Sequence, residues 1–158
     1  MVDFPSHAPS NYVCPICLGI EGVESENTLL KKADLIYDDG LVCAFINSFW
    51  VGLNKGHVIV VPRKHFENLY EIPAEVGHRI FEVSQKIGIA MKKAYRCNGI
   101  TLRQNNEPAG DQHAFHYHLH IFPRYENDGF NQKAAEGREL SDPEDRVIYA
   151  QKLKLELN

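Results

Sequence analysis

The segment His116-Tyr117-His118-Leu119-His120-Ile121-Phe122 decides how this chain is interpreted, because three histidines alternate in it with largely apolar residues. Successive side chains of a β-strand point to opposite faces, and positions two apart on one face are separated by roughly 7 Å. A strand over residues 113–122 therefore predicts that the three imidazoles share one face of a sheet. The residues between them face a hydrophobic core, so the imidazoles have to meet a polar group or a ligand.

Three interpretations of this row of histidines are open. They could be solvated on an exposed strand, although strict alternation then has no packing reason. Neutral imidazole is also the commonest transition-metal ligand, and histidines two residues apart can chelate a metal. Alternatively, one imidazole attacks a phosphate while its neighbours orient it and neutralise the oxygens. The upstream loop, residues 104–112, is rich in amides that suit phosphate oxygens. The spacing alone does not separate the metal interpretation from the phosphate interpretation.

Hydrophobic periodicity elsewhere predicts an α+β fold with about five antiparallel strands. Residues 35–37 and 41–46 predict a hairpin around Asp38-Asp39-Gly40. The β-branched run at 57–62 predicts a strand that is buried on both faces. Residues 100–104 predict another strand, and the histidine row itself supplies the fifth.

Two helices complete this architecture. Apolar residues over 76–94 recur at spacings of three and four, which predicts one long helix beginning at Pro73 and ended by Asn98-Gly99. A C-terminal helix is expected from Pro143, with three apolar residues directed inward: Val147, Ile148 and Leu153. We therefore expect residues 1–158 to form a single domain, with a flexible tail at 1–12 and a C-terminal extension at 131–158.

Composition excludes several classes of protein. Apolar residues make up 44% of the chain and charged residues 24%, which argues against disorder and against a coiled coil. The net charge of −4 argues against nucleic-acid polymers and anionic membranes as partners, because proteins that bind either of them usually carry a large positive surface charge. No apolar stretch approaches the roughly 20 residues of a membrane span, and residues 1–11 lack a secretory signal. These features predict a cytoplasmic protein.

Over residues 14–130 the chain resembles the histidine-triad family, whose signature is His-φ-His-φ-His-φ-φ. The resemblance is carried by Gln104-Asn105-Asn106, Ala109-Gly110, Gln112 and residues 116–124. Further likeness lies in Phe45-Ile46-Asn47, residues 55–62 and residues 125–130. The resemblance implies the fold of that family, a homodimer, and hydrolysis at the α-phosphate of a nucleotide substrate.

The resemblance also implies roles for individual residues. The middle histidine, here His118, would attack phosphorus and form a nucleotidyl-imidazole that water then hydrolyses. Catalytic roles fall to His116, His118 and His120. Nucleotide-binding roles fall to Phe45, Ile46, Asn47, His57, Asn105, Gln112 and His120. Among these, Asn47 would bind the ribose hydroxyls, Phe45 and Ile46 would wall the base, and backbone amides near Gln112 would meet the phosphate.

The Cys14-Pro15-Ile16-Cys17 motif has two interpretations. A redox motif of this kind should follow a strand and open an amphipathic helix, whereas two glycines follow here. The alternative is half of a tetrahedral zinc site. The resemblance to zinc-containing members of the family implies that His65 and His116 supply the other two ligands. Such a Zn²⁺ would be structural, because four protein ligands leave no open position.

Three positions depart from the family pattern. His113 stands where a Ser or Thr often contacts the phosphate bridge, and Glu107 and Asp111 replace residues that are commonly glycine. The two acidic side chains would weaken the binding of a polyphosphate unless they point to solvent. The preference for a leaving group therefore stays open.

The expected function is that of a hydrolase acting on a dinucleoside polyphosphate or a nucleoside phosphoramidate, through a covalent intermediate on His118. One alternative is a zinc-stabilised nucleotide-binding regulator with little catalysis. Another is a hydrolytic metalloenzyme with all three histidines as ligands, although the motif lacks an acidic partner. A transferase function is also considered, because the galactose-1-phosphate uridylyltransferases share this chemistry and a fold relationship, but it is disfavoured because this chain is too short for such a two-lobed enzyme.

Overall fold

A five-stranded antiparallel sheet with a long helix packed on one face organises the computed structural model, which describes residues 4–157. The strand order is β1-β2-β4-β6-β5. Those five strands are β1 (Leu35–Asp38), β2 (Val42–Ile46), β4 (Val58–Pro62), β5 (Gly99–Gln104) and β6 (Leu119–Arg124). Two short strands pair separately, β3 (Phe49–Trp50) and β7 (Glu139–Leu140). The helices are α1 (Pro15–Ile20), α2 (Ala74–Ala94), α3 (Phe130–Glu136) and α4 (Pro143–Leu157). The predicted α+β class and five-stranded antiparallel sheet are confirmed.

The predicted hairpin between β1 and β2 forms because the turn satisfies its own backbone. One carboxylate oxygen of Asp39 accepts hydrogen bonds from the N–H groups of Leu41 and Val42. Gly40 adopts a φ of +84°, which favours a residue without a Cβ. The next strand, β4, pairs with β2 and is buried along its whole length.

The two faces of the sheet pack against different partners. The face toward α2 carries Val42, Ala44 and Ile46 from β2, and these pack with the buried side of the long helix. The opposite face carries Cys43 and Phe45, which pack with apolar residues of α1 and the segment after it. This second face bears the histidines, so α1 covers part of the functional face of the sheet.

The strand predicted over 113–122 is shorter than expected, because β6 begins at Leu119. In the register of β4 with β6, Val60 pairs with Leu119, which would place Pro62 opposite Tyr117. Proline has no N–H to extend the ladder, so strand pairing stops there. The alternation of side chains nevertheless holds, since Tyr117 and Ile121 enter the α2 core while the histidines face the other way.

The hydrophobic pattern did not predict two features that involve the C-terminal residues. These are helix α3 and the pairing of β7 with the short strand β3. Helix α4 forms as predicted and buries Leu153, but Ile148 is exposed and the inward position is taken by Arg146. At the other end, residues 4–12 contain no helix or strand, and Ser6 and His7 bond to the carboxylate of Glu67. Residues 1–3 of the predicted tail lie outside the described part of the chain.

Within residues 4–157, every helix is too short or too polar to pass through a lipid bilayer.

Candidate active site

The histidine row lines an open cavity on the face of the sheet opposite α2. His118 is buried except for a small exposed fraction of 7%, and it borders the cavity together with Phe45 and Asn47. His116 is fully buried, and His120 is half-buried. The rings of His118 and His120 meet edge to face with centroids 4.9 Å apart. The imidazole at position 118 therefore borders the cavity and is otherwise largely buried.

Hydrogen bonds determine which nitrogen of His118 carries the proton. Its Nδ1 lies 2.7 Å from the backbone carbonyl oxygen of His116, which can only accept, so Nδ1–H donates. The other nitrogen, Nε2, has no hydrogen-bond partner among residues 4–157 and keeps its lone pair. Burial lowers the pKa of His118, which keeps the ring neutral near pH 7. The result is a neutral imidazole with its nucleophilic nitrogen free.

A chain of three side chains sets the proton on His120 in the same way. The amide Nδ2 of Asn47 donates to His57 Nδ1 at 3.2 Å, so the His57 proton is on Nε2. That Nε2–H donates to His120 Nδ1 at 2.8 Å, which leaves the His120 proton on its own Nε2. Burial lowers the pKa of His57 to about 3 and, with the neighbouring His57, holds the pKa of His120 well below its usual range. His120 is thus a neutral N–H donor beside His118.

The structure brings some predicted nucleotide-binding residues to the cavity and not others. Phe45 and Asn47 line the cavity, and the side chain of Asn47 is hydrogen-bonded to His57. Ile46 does not line it: its side chain is fully buried on the α2 face, because neighbouring residues of a strand point to opposite faces. The prediction that Ile46 walls a base is therefore wrong.

One wall of the cavity was missed by the sequence analysis. It consists of Pro15, Ile16, Thr28, Leu29 and Leu30, from α1 and the stretch before β1. That stretch is polar and glycine-containing, so its pattern indicated only irregular structure. The Cys14–Cys17 motif was the one signal available, because its predicted pairing with His65 and His116 requires α1 to lie against the histidine face.

The side chains of two residues predicted to bind phosphate, Asn105 and Gln112, form hydrogen bonds within the protein that hold the loop. The Gln112 side chain donates to the carbonyl oxygens of Glu67 and Ala114 and accepts from the N–H of Glu107. Asn105 donates to the carbonyl oxygen of Asp111. The Gln112 amide is thereby fully engaged within the protein, whereas Asn105 uses one N–H and keeps its side-chain oxygen without a hydrogen-bond partner among residues 4–157. A phosphate contact at Gln112 has to come from neighbouring backbone N–H groups.

The residues that depart from the family pattern lie at the rim of this loop. Asp111 and His113 are both exposed, and their side chains pair at 3.3 Å. Glu107 is half-buried, with a φ of 62° that few non-glycine residues adopt. The two positions that are commonly glycine therefore do take up left-handed backbone here, since Asp111 has a φ of 70°.

A cluster of four potential metal ligands adjoins the row of histidines. The ligand atoms of Cys14, Cys17, His65 and His116 all lie within 4.8 Å of one another, and three sulfur–nitrogen distances are 3.4 Å. A tetrahedral zinc ion bound at about 2.3 Å by sulfur and about 2.0 Å by nitrogen separates its ligand atoms by roughly 3.5 Å. These residues therefore fit zinc.

A hydrogen bond to the backbone orients His116, one of the four potential ligands. His116 Nε2–H donates to the carbonyl oxygen of Pro62 at 2.9 Å, which leaves Nδ1 to face the two thiols. No strand precedes Cys14 within residues 4–13, as a redox motif of this type would require. The carbonyl of His116 also holds His118, so the metal cluster and the candidate nucleophile share one residue.

Comparison with known proteins identifies the family. The sequence profile described as the HIT domain matches residues 29–127, which is well over half of the chain. The chain belongs to the HIT domain family. Protein hit of Bacillus subtilis (strain 168) is 42% identical over 97 residues, which are 60% of this chain and 65% of that protein, slightly under two thirds of its length.

Two further relatives bear on the chemistry of the family. The crystal structure of a Zn-bound histidine triad family protein from Mycobacterium smegmatis matches this HIT protein with a TM-score of 0.73 at 26% identity. The match covers 91% of this chain and 92% of the other. A protein of Arabidopsis thaliana named adenylylsulfatase HINT3 is 31% identical over 115 residues, covering 73% of this chain and 54% of that protein. The family thus includes a zinc-bound member and a hydrolase.

Proposed function

We propose that this HIT protein is a hydrolase that cleaves nucleotides at the α-phosphate, through a nucleotide bound covalently to His118. The substrate class is a dinucleoside polyphosphate or a nucleoside phosphoramidate. The observation that carries the proposal is the free Nε2 of a neutral His118 at the wall of a largely apolar cavity. A neutral imidazole in that position needs no separate base to act as a nucleophile near pH 7.

The reaction then has two steps. In the first, the Nε2 lone pair of His118 forms a bond to the α-phosphorus, and the bond from phosphorus to the leaving group breaks with its electron pair staying on the leaving group. In the second, water attacks phosphorus, the P–N bond breaks, and its electron pair returns to Nε2. The products are a nucleoside monophosphate and the leaving group, with one water consumed and its proton released.

Neighbouring residues supply orientation and neutral donors for these steps. The Nδ1–H bond to the His116 carbonyl stabilises the positive charge that develops on the His118 ring as it attacks. His120 carries a proton on Nε2 beside the reacting centre, where it can donate to a phosphate oxygen or to the leaving group. Positioning and charge neutralisation of this kind supply most of the catalysis in phosphoryl transfer.

The direct test is incubation of the purified protein with diadenosine tetraphosphate and with adenosine phosphoramidate, followed by chromatography for AMP. We expect AMP from at least one of them, and an acid-labile labelled adduct when turnover is quenched early. Tight binding of both nucleotides without AMP release would instead favour the regulatory alternative. No binding and no release would contradict the proposal.

A structural zinc ion at Cys14, Cys17, His65 and His116 is part of this proposal. The ion would tie α1 to the start of the histidine row and stabilise both, and its thiolates imply a reducing compartment such as the cytoplasm. No step of the reaction involves it. The supporting observations are the four converging ligand atoms and the zinc-bound relative.

Removing this zinc is expected to lower stability before it lowers turnover. A chelator should decrease the free energy of unfolding of the wild-type protein by roughly 2–5 kcal/mol, because the cross-link between distant segments is lost. Cys17→Ser should show the same loss without a chelator and no further change with one. Zinc content and urea unfolding measure both effects. Turnover that vanishes on chelation while unfolding stays unchanged would favour a catalytic metal.

A homodimer is also part of the proposal, and the surface of α2 and β5 supports it. β5 is an edge strand of the sheet, and Phe81, Ile89 and Leu102 expose large apolar side chains beside it. Phe81→Glu is expected to shift the protein from dimer to monomer in light scattering, because it places a charge in the exposed patch that the proposed dimer would bury. Leu155→Glu, an exposed leucine on α4, is the matched control. A monomeric wild-type protein would contradict this part.

A further inference from the structure

Arg103 lies directly beside the histidine row, on the strand that adjoins it. In the antiparallel pair of β5 and β6, Arg103 is the cross-strand partner of His120. Such partners project from the same face of the sheet with Cβ atoms about 5 Å apart. The Arg103 guanidinium also lies 5.9 Å from the centre of the Phe122 ring, and that ring stacks on His120. A positive charge therefore flanks the site on its β5 side.

Arg138 brings a second positive charge from the C-terminal extension. It directly precedes β7, which pairs with β3, and its guanidinium lies 4.5 Å over the Phe49 ring. The Phe49 carbonyl accepts a hydrogen bond from Asn47, a residue of the cavity wall. After burial and the neighbouring histidines, the charges of Arg103 and Arg138 also contribute to lowering the pKa of His120. Both guanidinium groups are thus within electrostatic reach of the histidines.

Neither positive charge is neutralised by a carboxylate in the described part of the chain. Arg63, Arg79, Arg124 and Arg146 each pair with an aspartate. Arg103 and Arg138 form no ion pair among residues 4–157, and both are exposed. Arg96, which follows α2, forms no ion pair among these residues either, so what distinguishes Arg103 and Arg138 is their position near the histidines of the candidate phosphate centre.

We propose that Arg103 and Arg138 bind the leaving group, and that they make the site prefer an oxyanion leaving group, such as a phosphate chain, over an amine. This inference rests on the proposed function and adds to it the class of leaving group. Guanidinium groups match phosphate oxygens with paired N–H donors, which makes arginine the suitable residue type.

The preference follows from where charge develops when the bond to phosphorus breaks. With a phosphoanhydride, the leaving oxygen keeps the electron pair, so the leaving phosphate gains one negative charge that a nearby guanidinium stabilises. With a phosphoramidate, the leaving nitrogen takes up the Nε2 proton of His120 as the P–N bond breaks and departs as a neutral amine, and the water that attacks in the second step returns a proton to His120. The arginines therefore lower the barrier for the first class and leave the second nearly unchanged.

Removing the negative charge of Asp111 is expected to have the opposite effect to removing the positive charge of Arg103. Its exposed carboxylate borders the same surface depression as Arg103, where it would repel an anionic leaving group. Its pairing with His113 offsets part of that charge only when the histidine is protonated. Removing the carboxylate should therefore favour the same substrates that removal of Arg103 disfavours.

The experiment compares kcat/KM for diadenosine tetraphosphate and adenosine phosphoramidate across matched variants. Arg103→Gln and Arg138→Gln should each lower the value for the tetraphosphate by about fivefold to tenfold and change that for the phosphoramidate by less than about twofold. Arg103→Lys should recover part of the loss, and Asp111→Asn should raise the tetraphosphate value. Lys86→Gln removes an exposed positive charge on α2 and should change neither.

The measurements distinguish a failure of the arginine proposal from a failure of the proposed hydrolase function. An equal loss for both substrates in the arginine variants would overturn the inference, because it would indicate an effect on the nucleotide pocket or on folding. If the wild-type protein cleaves neither substrate, the proposed function fails, and binding then tests the arginines separately. ADP places one phosphate beyond the α-phosphate, so Arg103→Gln should weaken ADP binding more than AMP binding. Equal weakening would overturn the inference.

Discussion

Replacing His118 with glycine is expected to abolish AMP release from both substrates, with kcat lower by about three to six orders of magnitude. The variant removes the only atom proposed to bond to phosphorus. His120 cannot substitute, because its Nδ1 accepts the His57 proton and its Nε2 carries its own. The acid-labile adduct should disappear together with turnover.

The variant should remain folded and should still bind AMP. His118 borders a cavity and makes one hydrogen bond to residues 4–157, so its loss leaves the core beneath α2 intact. Calorimetry with AMP and circular dichroism measure these two properties. His78→Gly on the exposed side of α2 controls for histidine removal as such. Undiminished hydrolysis by the His118 variant would refute the assignment of the nucleophile.

Much of the site could be predicted because its pattern is local. Three histidines at spacings of two share a face in any extended backbone, and the structure keeps that alternation even where β6 has not yet begun. The Asp-Gly turn and the periodicity of α2 are local signals of the same kind. Ile46 shows the limit of carrying roles over from a resemblance, since a neighbouring position in a strand lies on the wrong face.

The features that were missed depend on contacts between distant segments. The commitment of the Gln112 amide to Glu67, 45 positions away, has no signature in the loop that contains it. Arg146 is another case, because a charged residue in an amphipathic helix normally faces solvent. Its burial becomes intelligible only once the partner is known, which is Asp34 at a separation of 112 residues.

Arg146→Met is expected to lower the free energy of unfolding by about 3–5 kcal/mol, because it leaves the buried carboxylate of Asp34 without its counter-charge. Both side chains are almost fully buried, at 2% and 1% exposure, and are joined at 2.9 Å. The Arg146 guanidinium also donates to the carbonyl oxygens of Ser141 and Leu29. Urea unfolding of the wild type and the variant measures the loss. A loss below about 1 kcal/mol, typical of exposed pairs, would contradict the prediction.

The double variant Asp34→Asn with Arg146→Met separates the lost charge pair from lost packing. It should be more stable than Arg146→Met alone, because a neutral amide is less costly to bury than an unpaired carboxylate. Glu82→Gln, in an exposed ion pair on α2, is the matched control and should change stability little.

Leu29 and Leu30 line the cavity, and Arg146 donates a hydrogen bond to the carbonyl oxygen of Leu29. Arg146→Met should therefore also raise KM more than it lowers kcat. That result would show that the C-terminal helix, which lies beyond the residues that match the HIT domain, contributes to the proposed nucleotide binding through this buried pair.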